Sequence, residues 1–240
     1  MNAILGLIPA RGGSRGIPRK NVALVGGRPL LAYTCEAALA SRRLSRVVLS
    51  TDDEEIAAVG AACGVEVPFR RPGDLAQSET PSFPVAQHAV QWLREHEGWE
   101  ADVVVLLQPT SPLRRARHID EALDRMDAAG ADTVVSVVPV PHRYSPYAVN
   151  RVEEGWLHDF WEQPVSFNRT RRQDVPVLYA RNGPAVLATR TSVLLERQRF
   201  YGDRVLPYLM SEEESVDIDT GFDLSLAEWL LARRNAEAAD

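Results

Sequence analysis

Ala3-Ile-Leu-Gly-Leu-Ile-Pro-Ala-Arg-Gly-Gly-Ser-Arg-Gly-Ile-Pro-Arg-Lys-Asn21 sets a short apolar run directly before a loop holding three glycines and four cationic side chains. The run from Ala3 to Ile8 is too short for a helix and is stopped by Pro9, so it reads as a buried strand. In an open parallel sheet, ligands bind beyond the carboxyl ends of the strands, which is where this loop lies. Glycines let backbone N–H groups wrap phosphate oxygens, while Arg11, Arg15, Arg19 and Lys20 add positive charge, so the stretch predicts a polyphosphate site. It is neither a Walker A loop, having no Gly-Lys-Ser/Thr closure, nor a Gly-x-Gly-x-x-Gly dinucleotide fingerprint. A basic, solvated turn would use the same glycines for chain reversal alone.

Moving outward, strands and helices alternate. Leu30 to Ala40 has helical spacing, Arg46 to Ser50 is a second buried strand, and Thr51 or Asp52 is placed to cap a helix running through Gly60. Val65 to Phe69 reads as a strand, and Pro84 to Glu95 as a helix with Val85, Ala89, Trp92 and Leu93 on one face. Asp102 to Gln108 is the most continuous apolar run, as expected for a central strand covered on both faces. A helix over Ala116 to Ala129 and a strand over Thr133 to Val138 continue the β-α alternation, which favours a mainly parallel sheet with right-handed crossovers.

From Pro139 to Asp174 prolines, aromatics and five arginines replace that alternation, predicting an inserted arm. Order returns with the segment Val186 to Thr189, a helix near Thr191 to Arg197, the segment Ser215 to Thr220 and a last amphipathic helix over Phe222 to Arg234. The arm is drawn at 139–180 within one domain spanning 1–240.

Composition narrows the function classes. The 240 residues, 45% hydrophobic, suffice for one sizeable core. A net charge of -6 argues against a protein built mainly to grip nucleic acid. Cys35 and Cys63 support neither a disulfide framework nor a zinc site, and His88, His96, His118, His142 and His158 show no metal spacing. No run approaches the ~20 apolar residues that span a bilayer, and the N-terminus lacks a signal-peptide pattern, so the expectation is a cytoplasmic protein without membrane contact.

Two further stretches carry chemistry. In Val216-Asp-Ile-Asp-Thr220, an extended backbone puts Asp217 and Asp219 on one side, able to share a hard cation, with Val216 and Ile218 toward the core. An acidic surface strand would show the same spacing. Gln108-Pro-Thr-Ser-Pro-Leu-Arg114 ends the central strand in a stiff turn that presents the Gln108 amide, a donor and acceptor suited to sugar hydroxyls. Such a turn can also simply terminate a strand.

Together these motifs resemble those of the N-acylneuraminate cytidylyltransferases. That family carries Ile-Pro-Ala-Arg-Gly-Gly-Ser-Lys-Gly-Ile-Pro-x-Lys-Asn, from which this chain departs only at Arg15, and it carries Gln-Pro-Thr-Ser-Pro-Leu-Arg and Asp-Ile-Asp-Thr in the same order. The related KDO-activating branch has a different loop. The resemblance spans nearly the whole chain and implies an α/β, Rossmann-like fold of the nucleotide-diphospho-sugar transferase type, with a mainly parallel sheet flanked by helices. It implies transfer of CMP from CTP to the anomeric hydroxyl of a sialic or related nonulosonic acid, with release of pyrophosphate.

By the same resemblance, Arg11, Lys20, Asp217 and Asp219 are catalytic, and the two aspartates hold Mg²⁺, with Mn²⁺ as an alternative. Ala10, Gly12, Gly13, Ser14, Arg15, Asn21, Arg71 and Ser82 bind the nucleotide, the last three and the Arg71-Pro72 context recognising cytosine. Gln108, Arg172 and Asn182 bind the sugar, and the arm pairs two subunits in a homodimer. Two departures leave the acceptor open. The lysine that relatives place after Pro-x-x-His-x is absent from Pro141-His-Arg-Tyr-Ser-Pro-Tyr147, where Arg143 is the candidate substitute, and Asn-Gly-Ala-Ile-Tyr has become Asn182-Gly-Pro-Ala-Val186. The competing readings are a nucleotidyltransferase with another acceptor, such as a phosphonate or sugar phosphate, and a non-catalytic nucleotide-binding module.

Overall fold

The computed structural model describes residues 3–14, 16–160 and 176–237. In chain order its elements are β1 (Ile4–Pro9), the β2–β3 hairpin (Leu24–Val25 and Arg28–Pro29), α1 (Leu30–Leu39), β4 (Arg46–Ser50), α2 (Glu54–Ala62), α3 (Ser82–Glu97), β5 (Val103–Leu106), α4 (Ala116–Ala129) and β6 (Thr133–Pro139). There follow the β7–β8 hairpin (Asn150–Glu153 and Trp156–Asp159), β9 (Tyr179–Arg181), β10 (Leu187–Arg190), α5 (Thr191–Glu196), β11 (Val205–Leu209) and α6 (Gly221–Glu237). The main sheet runs β11-β6-β10-β5-β1-β4, with β9 pairing β6 beyond the end of β10.

Strand side chains alternate between two helical layers. Ile4 and Ile8 of β1, with Val103 and Val105 of β5, pack among α1, α2 and α4, whereas Leu5, Leu7, Val104 and Leu106 face α3 and α5. Both faces are therefore dry, which explains why these strands read as unbroken apolar runs. Truncating a side chain such as Leu7 to alanine would cost roughly 2–5 kcal/mol. A third, smaller core joins α6 and the β2–β3 hairpin through Val25, Leu30, Leu113, Leu230 and Ile218. It seats the stretch between the two aspartates.

Four features differ from the sequence expectations. β10 is antiparallel to both β5 and β6, although the sheet is otherwise parallel along β4, β1, β5 and along β6, β11. Among the described residues no α-helix lies between β6 and β10, and β10 returns as an antiparallel neighbour. β11 was not foreseen because Pro207 interrupts its apolar run; it lies at the edge of the sheet, where a missing N–H is tolerated. Val65 to Phe69 forms only one parallel bridge, Glu66 to Val48, since Pro68 ends any ladder. The cap of α2 is Asp53, which accepts from Ile56 N at 3.0 Å, in place of Thr51 or Asp52.

The arm contributes the isolated β7–β8 hairpin, which leaves Val152 and Trp156 70% and 73% exposed. Arg15 and the segment 161–175, with Arg169, Arg171 and Arg172, lie outside the described residues. No helix among the described residues is long and apolar enough to cross a membrane.

Candidate active site

β1 hands the chain to the glycine loop at its carboxyl end, and neighbouring acids pin that loop. Ala10 N donates to Ser50 O at 3.0 Å and Gly12 N to Asp52 Oδ1 at 3.0 Å. Arg19, held in the left-handed region at φ 54°, pairs with Asp53 at 2.5 Å and with Glu55. The loop's own basic residue thus fixes its shape, while Arg11 and Lys20 remain at the cleft. Asn21 is buried and donates through Nδ2 to Arg11 O at 2.9 Å, closing the loop on itself.

The opposite wall is the stretch after Ser215. Ile218 is fully buried, as its alternation with the aspartates predicted, and its N donates to Thr110 O at 2.9 Å. Lys20, only 14% exposed, bridges loop and wall by donating to Ile218 O at 2.6 Å and to Asp219 Oδ1 at 3.0 Å. Asp223 at the start of α6 accepts from the backbone N–H of Asp219 and of Thr220 at 3.1 and 2.7 Å, holding the turn into the helix. Gly16 comes so near that a Cβ there would lie 2.5 Å from Asp219 O.

The two carboxylates are unequal. Asp219 is 74% exposed. Asp217 is largely buried beside the Thr110 side chain, and its Oδ1 lacks a well-formed hydrogen bond. Burial pushes the Asp217 carboxyl above the usual carboxylate range. Its folded-state pKa being raised, the charged form opposes folding above that pKa, and the penalty is relieved as pH falls through it. Asp217→Asn is therefore expected to raise Tm at neutral pH, by about 2–4 °C, while turnover collapses. A melting curve alongside an activity assay checks both halves, and a lowered Tm would contradict the buried-charge account.

Loop and wall enclose a cleft of about 370 Å³ lined by Arg11, Ser14, Lys20, Asn21, Arg71, Ser82, Gln108, Asp217 and Asp219 among others. Nine of the residues picked from sequence thus converge on one cavity. Arg71 donates through Nε to Ser50 Oγ at 3.0 Å and through Nη2 to Ser50 O, and burial lowers its pKa to about 10. Ala10, Gly12 and Gly13 shape the loop without lining the cleft. Asn182, expected at the sugar, does not line it either: it is buried, with its amide committed to protein partners.

Three contributors were not singled out. Thr110 and Thr80 line the cleft. Arg114 is buried, donating to Gln108 O at 3.0 Å, Ala185 O at 2.8 Å and Thr34 Oγ1, and burial lowers its pKa to about 9. Both Thr110 and Arg114 belong to the Gln108–Arg114 motif. Their roles are invisible there, because Ile218 and Ala185 are brought to them from distant parts of the chain.

Among the described residues no three or more His, Cys, Asp or Glu side chains converge on a metal position. A cation would rest on Asp217, Asp219 and ligands brought by the substrate, a donor set typical of Mg²⁺ in nucleotide chemistry. The orphaned Asp217 oxygen fits such an ion.

The sequence profile of the cytidylyltransferases matches residues 5–234. The chain belongs to the cytidylyltransferase family. This cytidylyltransferase is 34% identical over 237 residues to the CMP-N,N'-diacetyllegionaminic acid synthase of Legionella pneumophila, covering 95% of this chain and 96% of that one. It is 32% identical to the N-acylneuraminate cytidylyltransferase of Escherichia coli and 36% to N-acylneuraminate cytidylyltransferase A of Danio rerio, over 99% and 96% of its own length. It spans only 54% and 51% of those two relatives. Its fold matches that of CMP:2-keto-3-deoxy-manno-octonic acid synthetase complexed with CTP, with a TM-score of 0.68 at 19% identity, covering 97% of this chain and 99% of that one.

Proposed function

We propose that this cytidylyltransferase transfers CMP from CTP to the anomeric hydroxyl of a sialic or related nonulosonic acid, releasing pyrophosphate. The observation that carries the reading is the single cleft in which the glycine loop, Lys20 and the Asp217/Asp219 pair face one another. A module that only bound nucleotide would not need all three. The near full-length likeness to the Legionella synthase supports an acidic sugar as acceptor.

In this reading Arg11 and Lys20 neutralise the triphosphate, and Ala10, Gly12, Gly13, Ser14 and Arg15 bind the nucleotide. Asn21, Arg71 and Ser82 take the cytosine end, and Gln108 faces the sugar, whose carboxylate Arg172 would grip through two parallel hydrogen bonds. Asp217 and Asp219 would hold Mg²⁺, or Mn²⁺ in its place; when bound, such an ion offsets phosphate charge and lowers the pKa of a coordinated hydroxyl. The protein's own contribution is positioning and a preorganised positive field, and no covalent enzyme intermediate is required. The exposed apolar surface of β7–β8, including Val152, Trp156 and Leu157, supports pairing of two subunits through the arm.

Incubating the protein with Mg²⁺, each of the four common nucleoside triphosphates, and sialic, legionaminic or 2-keto-3-deoxy-manno-octonic acid tests the proposal by pyrophosphate release. Release with CTP and a nine-carbon acid alone is the expected result. Release with a different triphosphate, or with CTP independently of any acid, would overturn it.

A further inference from the structure

Asn182 sits where β9 and β10, two antiparallel partners of β6, are interrupted. β9 pairs with β6 from Val137 to Pro139 and β10 from Thr133 to Val135, leaving Ser136 opposite the break. There Ser136 N donates to Val186 O at 2.8 Å, and its hydroxyl accepts from Val186 N at 2.9 Å and donates to Asn182 Oδ1 at 2.6 Å. The other half of the Asn182 amide faces away from β6. Its Nδ2 donates to Ser215 Oγ at 2.9 Å and approaches Met210 Sδ at 3.4 Å.

Ser215 stands two residues before Asp217, and Gly183 follows Asn182 directly. At φ +99°, Gly183 lies so close to the Asp217 carboxylate that a Cβ there would be 2.7 Å from Oδ2. One buried amide therefore ties the rigid sheet to the start of the aspartate segment, while its chain neighbour packs against the carboxylate itself. On the far side Thr110 O receives Ile218 N. Asp217 is thus held from the chain before it, from the chain after it and at its carboxylate.

We infer that Asn182 is a positioning residue for Asp217, acting through Ser215 and Gly183, and not a contact to the sugar. The inference rests on the reading of Asp217 and Asp219 as the cation-holding pair. Partners that orient a carboxylate ligand commonly govern cation affinity as strongly as some ligands do.

The test compares Asn182→Ser, Ser215→Ala, their double variant and Asp217→Asn, each with CTP. Mn²⁺ binding is read by electron paramagnetic resonance, KM for the acid by pyrophosphate release, and folding by circular dichroism. Asn182→Ser and Ser215→Ala are each expected to weaken Mn²⁺ binding by about tenfold or more, with the acid KM nearly unchanged. Because both break one link, the double variant should be little worse than either single one. Ser215 is only partly buried and far simpler to truncate, so it carries the test if Asn182→Ser folds poorly.

A raised acid KM with unaltered Mn²⁺ binding in Asn182→Ser would restore the sugar contact and overturn the inference. Loss of Mn²⁺ binding in Asp217→Asn together with normal binding in both clamp variants would overturn it alone. Normal binding in Asp217→Asn would instead remove the underlying reading of the pair, and the inference with it.

Discussion

Replacing Lys20 by alanine is expected to lower kcat by on the order of 10²–10³, the usual cost of deleting one preorganised electrostatic contact to a transition state. Lys20 extends from the loop to the opposite wall, with Nζ on Ile218 O and Asp219 Oδ1. Its stem is shielded while its ammonium borders the cleft, so the charge acts where solvent screens it weakly. Without it the two carboxylates face incoming phosphates with less cationic compensation. The fold should lose only a few kcal/mol, because a hydrogen bond made by a charged donor contributes about 1.5–3 kcal/mol and the Asp219 partner is largely exposed to solvent. Single-turnover pyrophosphate release and a melting curve measure the two effects separately. Full kcat in Lys20→Ala would end its transition-state role, and a collapse of Tm with proportionate loss of activity would make it a structural strut.

Gly183→Ala is expected to reduce turnover by about a hundredfold, comparable to losing a well-oriented ligand-supporting group. Two penalties coincide there. The backbone at φ +99° is one that alanine adopts only under strain, of order 1–3 kcal/mol. The new methyl would also lie 2.7 Å from a carboxylate oxygen of Asp217. A carboxylate at the end of a side chain can swing aside at small steric cost, so the protein should still fold. The carboxylate would then point elsewhere, and catalysis would lose what folding kept. The signature is a modest fall in Tm with a large fall in kcat and weaker Mn²⁺ binding. A variant with parental kcat would show that the orientation of Asp217 does not matter to the reaction.

Local pattern carried much of this. Short apolar runs closed by proline or glycine, set between stretches of helical spacing, can bury themselves only as strands covered by helices, and β1, β4, β5 and β6 follow from that alone. The loop from Arg11 to Asn21, the turn at Gln108 and the alternation of Asp217, Ile218 and Asp219 are contiguous, so their residue types were legible before any coordinate. Ile218 faces the core because a single buried apolar residue between two acids has no other stable placement. Such features are set within a few residues of chain, where backbone geometry and the cost of burying polar groups act directly.

What only the tertiary structure decided are contacts between distant segments. The direction of β10 depends on its antiparallel pairing with β5 and β6, strands distant in sequence, and the place of β11 on an edge that accepts Pro207. That Lys20 reaches Asp219 across the cleft, that Arg114 is buried on the carbonyl of Ala185, and that the Asn182 amide is bonded to Ser136 and Ser215 are facts about pairs far apart in sequence. A side chain's type states what it can bond to, and only packing determines which partner is within reach once water has been excluded.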